Sequence, residues 1–492
     1  MQSTSYLPTL TRRGFFGRVA DGLHGAALLA LLNRDLFGNA ALSAAGPSAP
    51  GPRRAFDLKP RQPHFEPKAK AVIQLFMNGG PSQVDTFDPK PRLDRDHGKS
   101  IYDEIAADVS SPQAAGGLMR SPFRFAQHGQ SGLWISDALP HLHQHADDIA
   151  VIRSMYNDHP NHEPALFKIH SGQLLPGLPA LGAWVVYGLG SENQNLPAYV
   201  VLDDPLGLPV NGVQSWQSGY LPPIYQGTRL RSRGSPLLNL RPEVEPPAEV
   251  ARLQQDLLGK LDRIHQQDRP HQLQLDARIA SYQLAARMQV TATDALDVSQ
   301  ESAKTLEMYG VGQEPMDSYA RRCVMARRLV ERGVRFVQIF INGQIWDNHN
   351  RLATSLRAAS QRTDQPISAL LTDLKQRGLL ESTLVLWGGE FGRLPIAQLP
   401  PDKSTANAGR DHGPRGFSVW LAGGGIKGGT CYGNTDEIGY AAAENRVSIA
   451  DWHATILHQL GLHHEELFFE RNGFNDKLTA TFPARVVTGI LA

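Results

Sequence analysis

The sequence predicts an α/β fold built on a mostly parallel sheet. Three observations carry that expectation: short apolar runs of strand length, polar or glycine turns directly after them, and helical stretches between the later runs. The first run, Ala71-Val72-Ile73-Gln74-Leu75-Phe76-Met77, stops at Asn78-Gly79-Gly80-Pro81, a strong turn signal. Similar runs lie at Tyr199 to Leu202, Val334 to Ile341, Thr383 to Trp387 and Phe417 to Leu421. Asp317 to Arg332 places Ala320, Cys323, Val324, Ala326, Leu329 and Val330 at helical spacing, with Gly333 as the stop. Ile367 to Arg377 repeats the plan and ends at Gly378. Glu249 to Glu307 reads as two or more helices broken near Pro270, an insertion over about residues 249–310.

The chain has 492 residues, 49 basic against 48 acidic, for a net charge of +1. That length supplies a core that folds without disulfides or a structural metal. The balanced charge, with no long basic run, argues against a nucleic-acid partner. Only Cys323 and Cys431 are present, which excludes a cysteine zinc finger and a disulfide-dense scaffold.

The amino terminus predicts a signal peptide over residues 1–45. Thr11-Arg12-Arg13-Gly14-Phe15-Phe16 has the form of a twin-arginine export signal, followed by a weakly apolar stretch from Gly22 to Leu32 and small residues from Ala40 to Ala45. The apolar run is far shorter than the roughly 20 residues that span a bilayer, so no stable membrane span is expected. The implied partner is the twin-arginine export machinery and the implied location periplasmic or otherwise exported. That route carries folded proteins, often with a metal already inserted. Residues 46–68 hold six prolines and read as a linker, leaving residues 69–492 as the folded domain.

In open α/β sheets ligands collect at the carboxyl ends of the strands. Here the first strand ends at Asn78 and runs into Ser82 and Asp85; the run ending at Ile341 leads to Asn342, Asp347 and His349; Thr383 to Trp387 ends at Gly388-Gly389-Glu390; Asp411-His412 stands just before the run from Phe417. Each group alone also reads as an Asx turn, a solvated acid or a helix cap. Their recurrence at successive strand ends points to a metal site. Carboxylates with neutral imidazoles suit Zn first, with Mn, Fe or Ca as alternatives, although calcium does not call for histidines. Asn157-Asp158-His159-Pro160-Asn161-His162-Glu163-Pro164 is a metal shelf or a solvated turn, and His162 falls at a helix start.

Phe76-Met77-Asn78-Gly79-Gly80-Pro81-Ser82 leading to Asp85-Thr86-Phe87-Asp88-Pro89-Lys90 resembles the opening of the bacterial family called domain of unknown function 1501. Asn161-His162-Glu163-Pro164-Ala165, Gly219-Tyr220-Leu221-Pro222 with Gln226-Gly227-Thr228, and Trp387-Gly388-Gly389-Glu390-Phe391-Gly392-Arg393 extend the resemblance over nearly all the chain after the linker. That family is similar to the alkaline phosphatase and sulfatase superfamily. The resemblance implies a three-layer α/β/α sandwich with helical insertions and a mononuclear or binuclear metal site. It implies Asn78, His162, Asp347, His349, Glu390 and His412 as metal residues, Asn78 and Glu390 standing where the superfamily has aspartate or an Asp-His pair; the strand-end pattern adds Asp411 to that set.

Sulfatases begin a nucleophile helix with Cys-x-Pro-Ser-Arg and end it with Thr-Gly; His162-x-Pro164 and Ser171-Gly172 fall at the same spacing, which puts His162 at the nucleophile position. No Ser, Thr or Cys stands there, so the formylglycine route is closed. His162 as metal ligand with metal-activated water, His162 as nucleophile, and binding without turnover all stay open, the first favoured. Lys168 and Arg393 are read as holders of substrate oxyanions, or as ordinary surface charges. Gly423-Gly424-Gly425 reads as a plain turn rather than a phosphate cradle, since no Lys-Ser or Lys-Thr pair follows. The expected activity is hydrolysis of a small-molecule or glycan ester of phosphate or sulfate. The alternatives are a non-catalytic periplasmic protein that binds an anion or glycan, and a structural surface protein.

If Arg12 and Arg13 form the signal, replacing both with lysine leaves precursor in the cytoplasm, as cell fractionation would show; unchanged export would remove the twin-arginine route.

Overall fold

In a computed structural model, which describes residues 56–232, 246–269 and 272–492, eight strands form one sheet. The expected signal peptide lies outside the described residues, as do the part of the expected linker up to residue 55 and the expected break at Pro270. The strands are β1 (Ala71–Phe76), β2 (Ile149–Met155), β3 (Tyr199–Leu202), β4 (Thr228–Leu230), β5 (Phe336–Phe340), β6 (Thr383–Gly388), β7 (Phe417–Ala422) and β8 (Thr430–Tyr432). Their order across the sheet is β8-β2-β7-β6-β1-β5-β3-β4.

β1 sits near the centre, parallel to β5 on one side and β6 on the other, with every residue buried. A strand buried on both faces reads as a continuous apolar run, which is how β1 and β5 appear in sequence. β7 alone runs against its neighbours, antiparallel to both β6 and β2. Its first residue therefore lies at the edge where the parallel strands finish. The triple glycine Gly423 to Gly425 follows β7 at the other edge, where it is a strand-connecting turn as expected. A Cβ on Gly423 would lie 2.2 Å from the Leu380 carbonyl oxygen, so only glycine passes there.

The main helices are α1 (His162–Ser171), α2 (Leu181–Leu189), α3 (Ala248–Gln267), α4 (Leu273–Leu296), α5 (Asp317–Glu331), α6 (Leu352–Gln376) and α7 (Ile449–Gln459). The layers are α/β/α, with the mostly parallel sheet between. On one face His170 of α1 packs on the rings of Phe76 and Phe340, and its Nδ1 accepts from the Gln338 amide at 3.3 Å. His453 of α7 donates from Nε2 to the Ile169 carbonyl, joining α7 to α1. On the other face α5 packs on β5 and β1, and α6 packs on α5. The expected insertion is helical, and α4 lies against α5 and the turn Pro223–Tyr225.

Two expectations change. The helix expected from Ile367 starts at Leu352 and runs through Pro366. Proline removes one backbone bond, but Leu352, Leu356, Ala359, Thr363, Pro366, Leu370 and Leu374 keep one buried stripe, and that packing outweighs the local cost of about 3 kcal/mol. Residues 56–68, read as linker, are fixed along the domain: Arg61 Nη1 donates to the Tyr187 carbonyl at 2.8 Å, and the Lys68 amide donates to the Gln459 carbonyl at 2.9 Å.

One buried ion pair fixes the segment that leads into β7. Arg410 Nε meets Asp85 Oδ2 at 2.7 Å and Nη2 meets Oδ1 at 3.2 Å, with both side chains fully buried. Asp85 lies just past β1, so the pair ties the chain before β7 to the end of the central strand. Replacing Arg410 with methionine strands a buried carboxylate and should lower unfolding free energy by about 3–5 kcal/mol in urea titration.

Candidate metal centre

The carboxyl ends of β1, β5 and β6 and the start of α1 converge with the segment before β7. Asp347 follows β5. Its Oδ1 lies 2.9 Å from His349 Nε2 and 3.2 Å from His412 Nε2, and its Oδ2 lies 3.4 Å from His162 Nε2. His162, Asp347 and His412 each offer a ligand atom, all within 4.8 Å of one another. Among the described residues this is the group of His, Cys, Asp and Glu side chains that could hold a metal ion.

Local structure explains the convergence. The turn after β1 passes between Asp347 and Phe391 with no space for side chains: a Cβ on Gly79, at φ +109°, would lie 2.5 Å from the Asp347 amide nitrogen. Gly80, at φ +78°, is equally confined by the Phe391 carbonyl. Phe391 is fully buried, with its ring 4.8 Å from each of the His162 and His412 rings, and so fixes both imidazoles. His412 and Gly413 pair with Gly392 and Arg393 in a two-residue antiparallel ribbon.

Glu390 stands behind His162. Its Oε1 accepts from His162 Nδ1 at 2.6 Å and from the Gly79 amide at 3.0 Å. An ionised carboxylate only accepts, so Nδ1 carries a proton and Nε2 is left to face Asp347. That nitrogen is buried and has no aligned hydrogen-bond partner. A carboxylate behind the imidazole of a metal-binding histidine is a common arrangement that fixes the ring and its tautomer.

The charges fit a cation. Burial opposes protonation of His162, but Asp347 and Glu390 outweigh it and raise its pKa to about 9. Asp347 is also opposed by burial, and its bonds to His162, His349 and His412, with the Arg393 charge, hold it well below the usual carboxylate range. Burial lowers the His412 pKa despite Asp347, which favours the neutral form that ligates metal. Two imidazoles and one carboxylate suit Zn, Mn or Fe. Calcium, which takes an oxygen shell, does not fit this donor set.

The expected residues divide by position. His349 touches Asp347 and His412 while its Nδ1 bonds Gln398 Oε1 at 2.5 Å, at the more exposed side of the cluster. Glu390 meets His162 rather than Asp347. Asn78 donates from Nδ2 to the Ile341 carbonyl at 2.7 Å and leaves a buried Oδ1 without a hydrogen-bond partner. Asp411 is turned away: Oδ2 accepts the Ser110 and Ser111 amides and Oδ1 the amide of His412, so it anchors backbone.

Arg393 is fully buried. Its Nε donates to the Gly80 carbonyl, Nη1 to the Arg410 carbonyl, and Nη2 to Asp347 and the Gly79 carbonyl. The guanidinium expected to hold a substrate oxyanion holds the site together instead, because every nitrogen is taken by the protein. Lys168 lies two turns along α1 and pairs with Asp158 at 2.9 Å, in a cavity that shares no lining residue with the cluster. Sequence reasoning did not single out Gln398 or the wedge role of Phe391, and no local pattern marks either.

A family model described as Protein of unknown function (DUF1501) matches residues 69–491. No curated protein matches the sequence. Among solved structures the chain is similar to the PsFucS1 sulfatase from Pseudoalteromonas sp., at 12% identity over 82% of this chain and 69% of that one, with a TM-score of 0.34. It is also similar to the phosphonate monoester hydrolase SpPMH from Silicibacter pomeroyi, at 12% identity over 66% and 68%, with a TM-score of 0.30. Alkaline phosphatase from the Antarctic bacterium TAB5 matches at 9% identity over 73% and 92%, with a TM-score of 0.29.

A pH titration tests the electrostatics. His162 holds its proton more tightly folded than unfolded, so its contribution to metal-free stability is full below pH 6.5 and is lost as pH rises through about 9. The Tm of chelator-treated protein should fall across that window, and Glu390→Gln should shrink the fall. A flat Tm would contradict the assigned carboxylate–imidazole contacts.

Proposed function

We propose that the chain, which belongs to the DUF1501 family, is an exported metal-dependent hydrolase of phosphate or sulfate esters carried on small molecules or glycans. The observation that carries this reading is the meeting of His162, Asp347 and His412, with a buried His162 Nε2 that faces Asp347 at 3.4 Å without an aligned hydrogen bond. These three residues would hold the ion, Zn first and Mn or Fe next, with His349 beside them. A bound divalent ion supplies Lewis acidity and lowers the pKa of water towards about 7.

The protein's own groups prepare that chemistry. Glu390 keeps the His162 proton on Nδ1. Arg393 and the imidazoles keep Asp347 ionised. Phe391 excludes water from beneath the two rings. Arg12 and Arg13 support twin-arginine export to the periplasm, a route that suits a protein folded around its metal. A second reading, a protein that binds an anion or glycan without turnover, is favoured by one specific feature: Arg393 presents no open fork to a substrate oxyanion.

Turnover of aryl phosphates, phosphodiesters and aryl sulfates with Zn, Mn or Fe supplied separates the two readings. In the first, His162→Ala lowers metal occupancy and activity together and excess metal restores part of both, while Glu390→Gln weakens metal binding by about 10–100-fold. If His162 is instead a nucleophile, His162→Ala keeps the metal and abolishes a phosphoryl-enzyme intermediate trappable in the parent. Full occupancy and full activity in His162→Ala would exclude both roles.

A further inference from the structure

Lys168 is the unusual group outside the cluster. Its side chain is 7% exposed, its ammonium lies 3.7 Å from the centre of the Phe482 ring, and its carboxylate partner Asp158 is half exposed. It lines a cavity of about 500 Å³ together with Tyr156, Asp158, Arg446, Phe482 and Arg485. Lysine is almost never buried unless paired, and one half-solvated aspartate is thin compensation.

The other charges around the cavity deepen the imbalance. Arg446 lies over the Tyr156 ring, 4.6 Å from its centre. Arg485 donates from Nη2 to the Arg446 carbonyl. Among the described residues neither guanidinium has a carboxylate within 4.0 Å. Asp451 also lines the cavity, but Oδ2 accepts the Ser448 amide at 2.9 Å and Oδ1 the Arg485 amide at 2.8 Å. The first of these bonds completes the capping box of α7 and the second anchors the backbone at Arg485, so Asp451 is already engaged and the cations remain.

Three cations thus face one cavity against two carboxylates, of which one caps a helix and the other pairs with Lys168. A lysine point charge with two guanidinium forks suits the oxygens of a tetrahedral oxyanion. The volume lies within the range of small-molecule sites, far larger than a lone ion needs. We infer that this cavity binds the sulfate or phosphate group of an organic ester, at a site separate from the metal centre. Because none of its lining residues belongs to the metal cluster, the inference does not depend on the hydrolase reading.

The test is calorimetric titration of the full chain, in chelator, with inorganic sulfate, inorganic phosphate and a monosulfated monosaccharide. Arg446 and Arg485 are exposed, so an Arg446→Gln/Arg485→Gln double variant should keep the parental Tm. It should weaken binding by about tenfold or more, the scale of losing charged hydrogen bonds. His162→Ala should leave the affinity unchanged. Tighter binding of the sulfated sugar than of the inorganic ions supports the ester as ligand, whereas equal or weaker binding of the sugar would show that the oxyanion alone is held and would overturn the ester assignment. No heat from any of the three probes at millimolar concentration, or binding that the double variant leaves intact, would overturn the site itself.

Discussion

The site depends on one carboxylate. Asp347 meets three imidazoles and a guanidinium, and apart from His349, two residues on, each of those contacts places a side chain from a distant part of the chain. Without it, the buried Arg393 charge would lose its counter-ion and the Nε2 atoms of His349 and His412, 3.0 Å apart, would lose the acid between them. Glu390 supplies a second negative charge on the far side of His162. Two carboxylates flanking one imidazole demand positive charge at Nε2. A proton meets that demand in the simplest way, and a divalent cation meets it more strongly.

Much of this was legible in sequence because β1, β3, β5, β6 and β7 are apolar runs that stop at polar or glycine residues: Asn78, Asp203, Asn342, Gly388 and Gly423. Tyr199 to Leu202 matches β3 residue for residue, and Asp317 to Arg332 differs from α5 by one residue. β2 was not singled out, although Ile149-Ala150-Val151-Ile152 carries a readable strand pattern. β4 and β8 have three residues each and form only as partners of β3 and β2, so their existence is a property of pairing.

Residue types at the site were legible, but roles were not. That His349, Glu390 and Asp411 lie at strand ends follows from sequence; which group an oxygen faces depends on neighbours far along the chain. Asp411 shows this most plainly. Adjacent to His412, it points instead at the amides of Ser110 and Ser111, about 300 residues earlier. Arg393 likewise reads as a free fork until the turn at Gly79 and Gly80 closes over it.

The reversed direction of β7 places His412 beside residues that end the parallel strands, and the contacts this creates span long stretches of chain. His162 and Glu390 are 228 residues apart, and Asp347 and His412 are 65 apart. Contacts of such separation demand that large loops close first. No short segment of the nascent chain holds a complete set of ligands. An ion held by His162, Asp347 and His412 would therefore be captured late in folding, once the sheet had assembled, and could not serve as its nucleus.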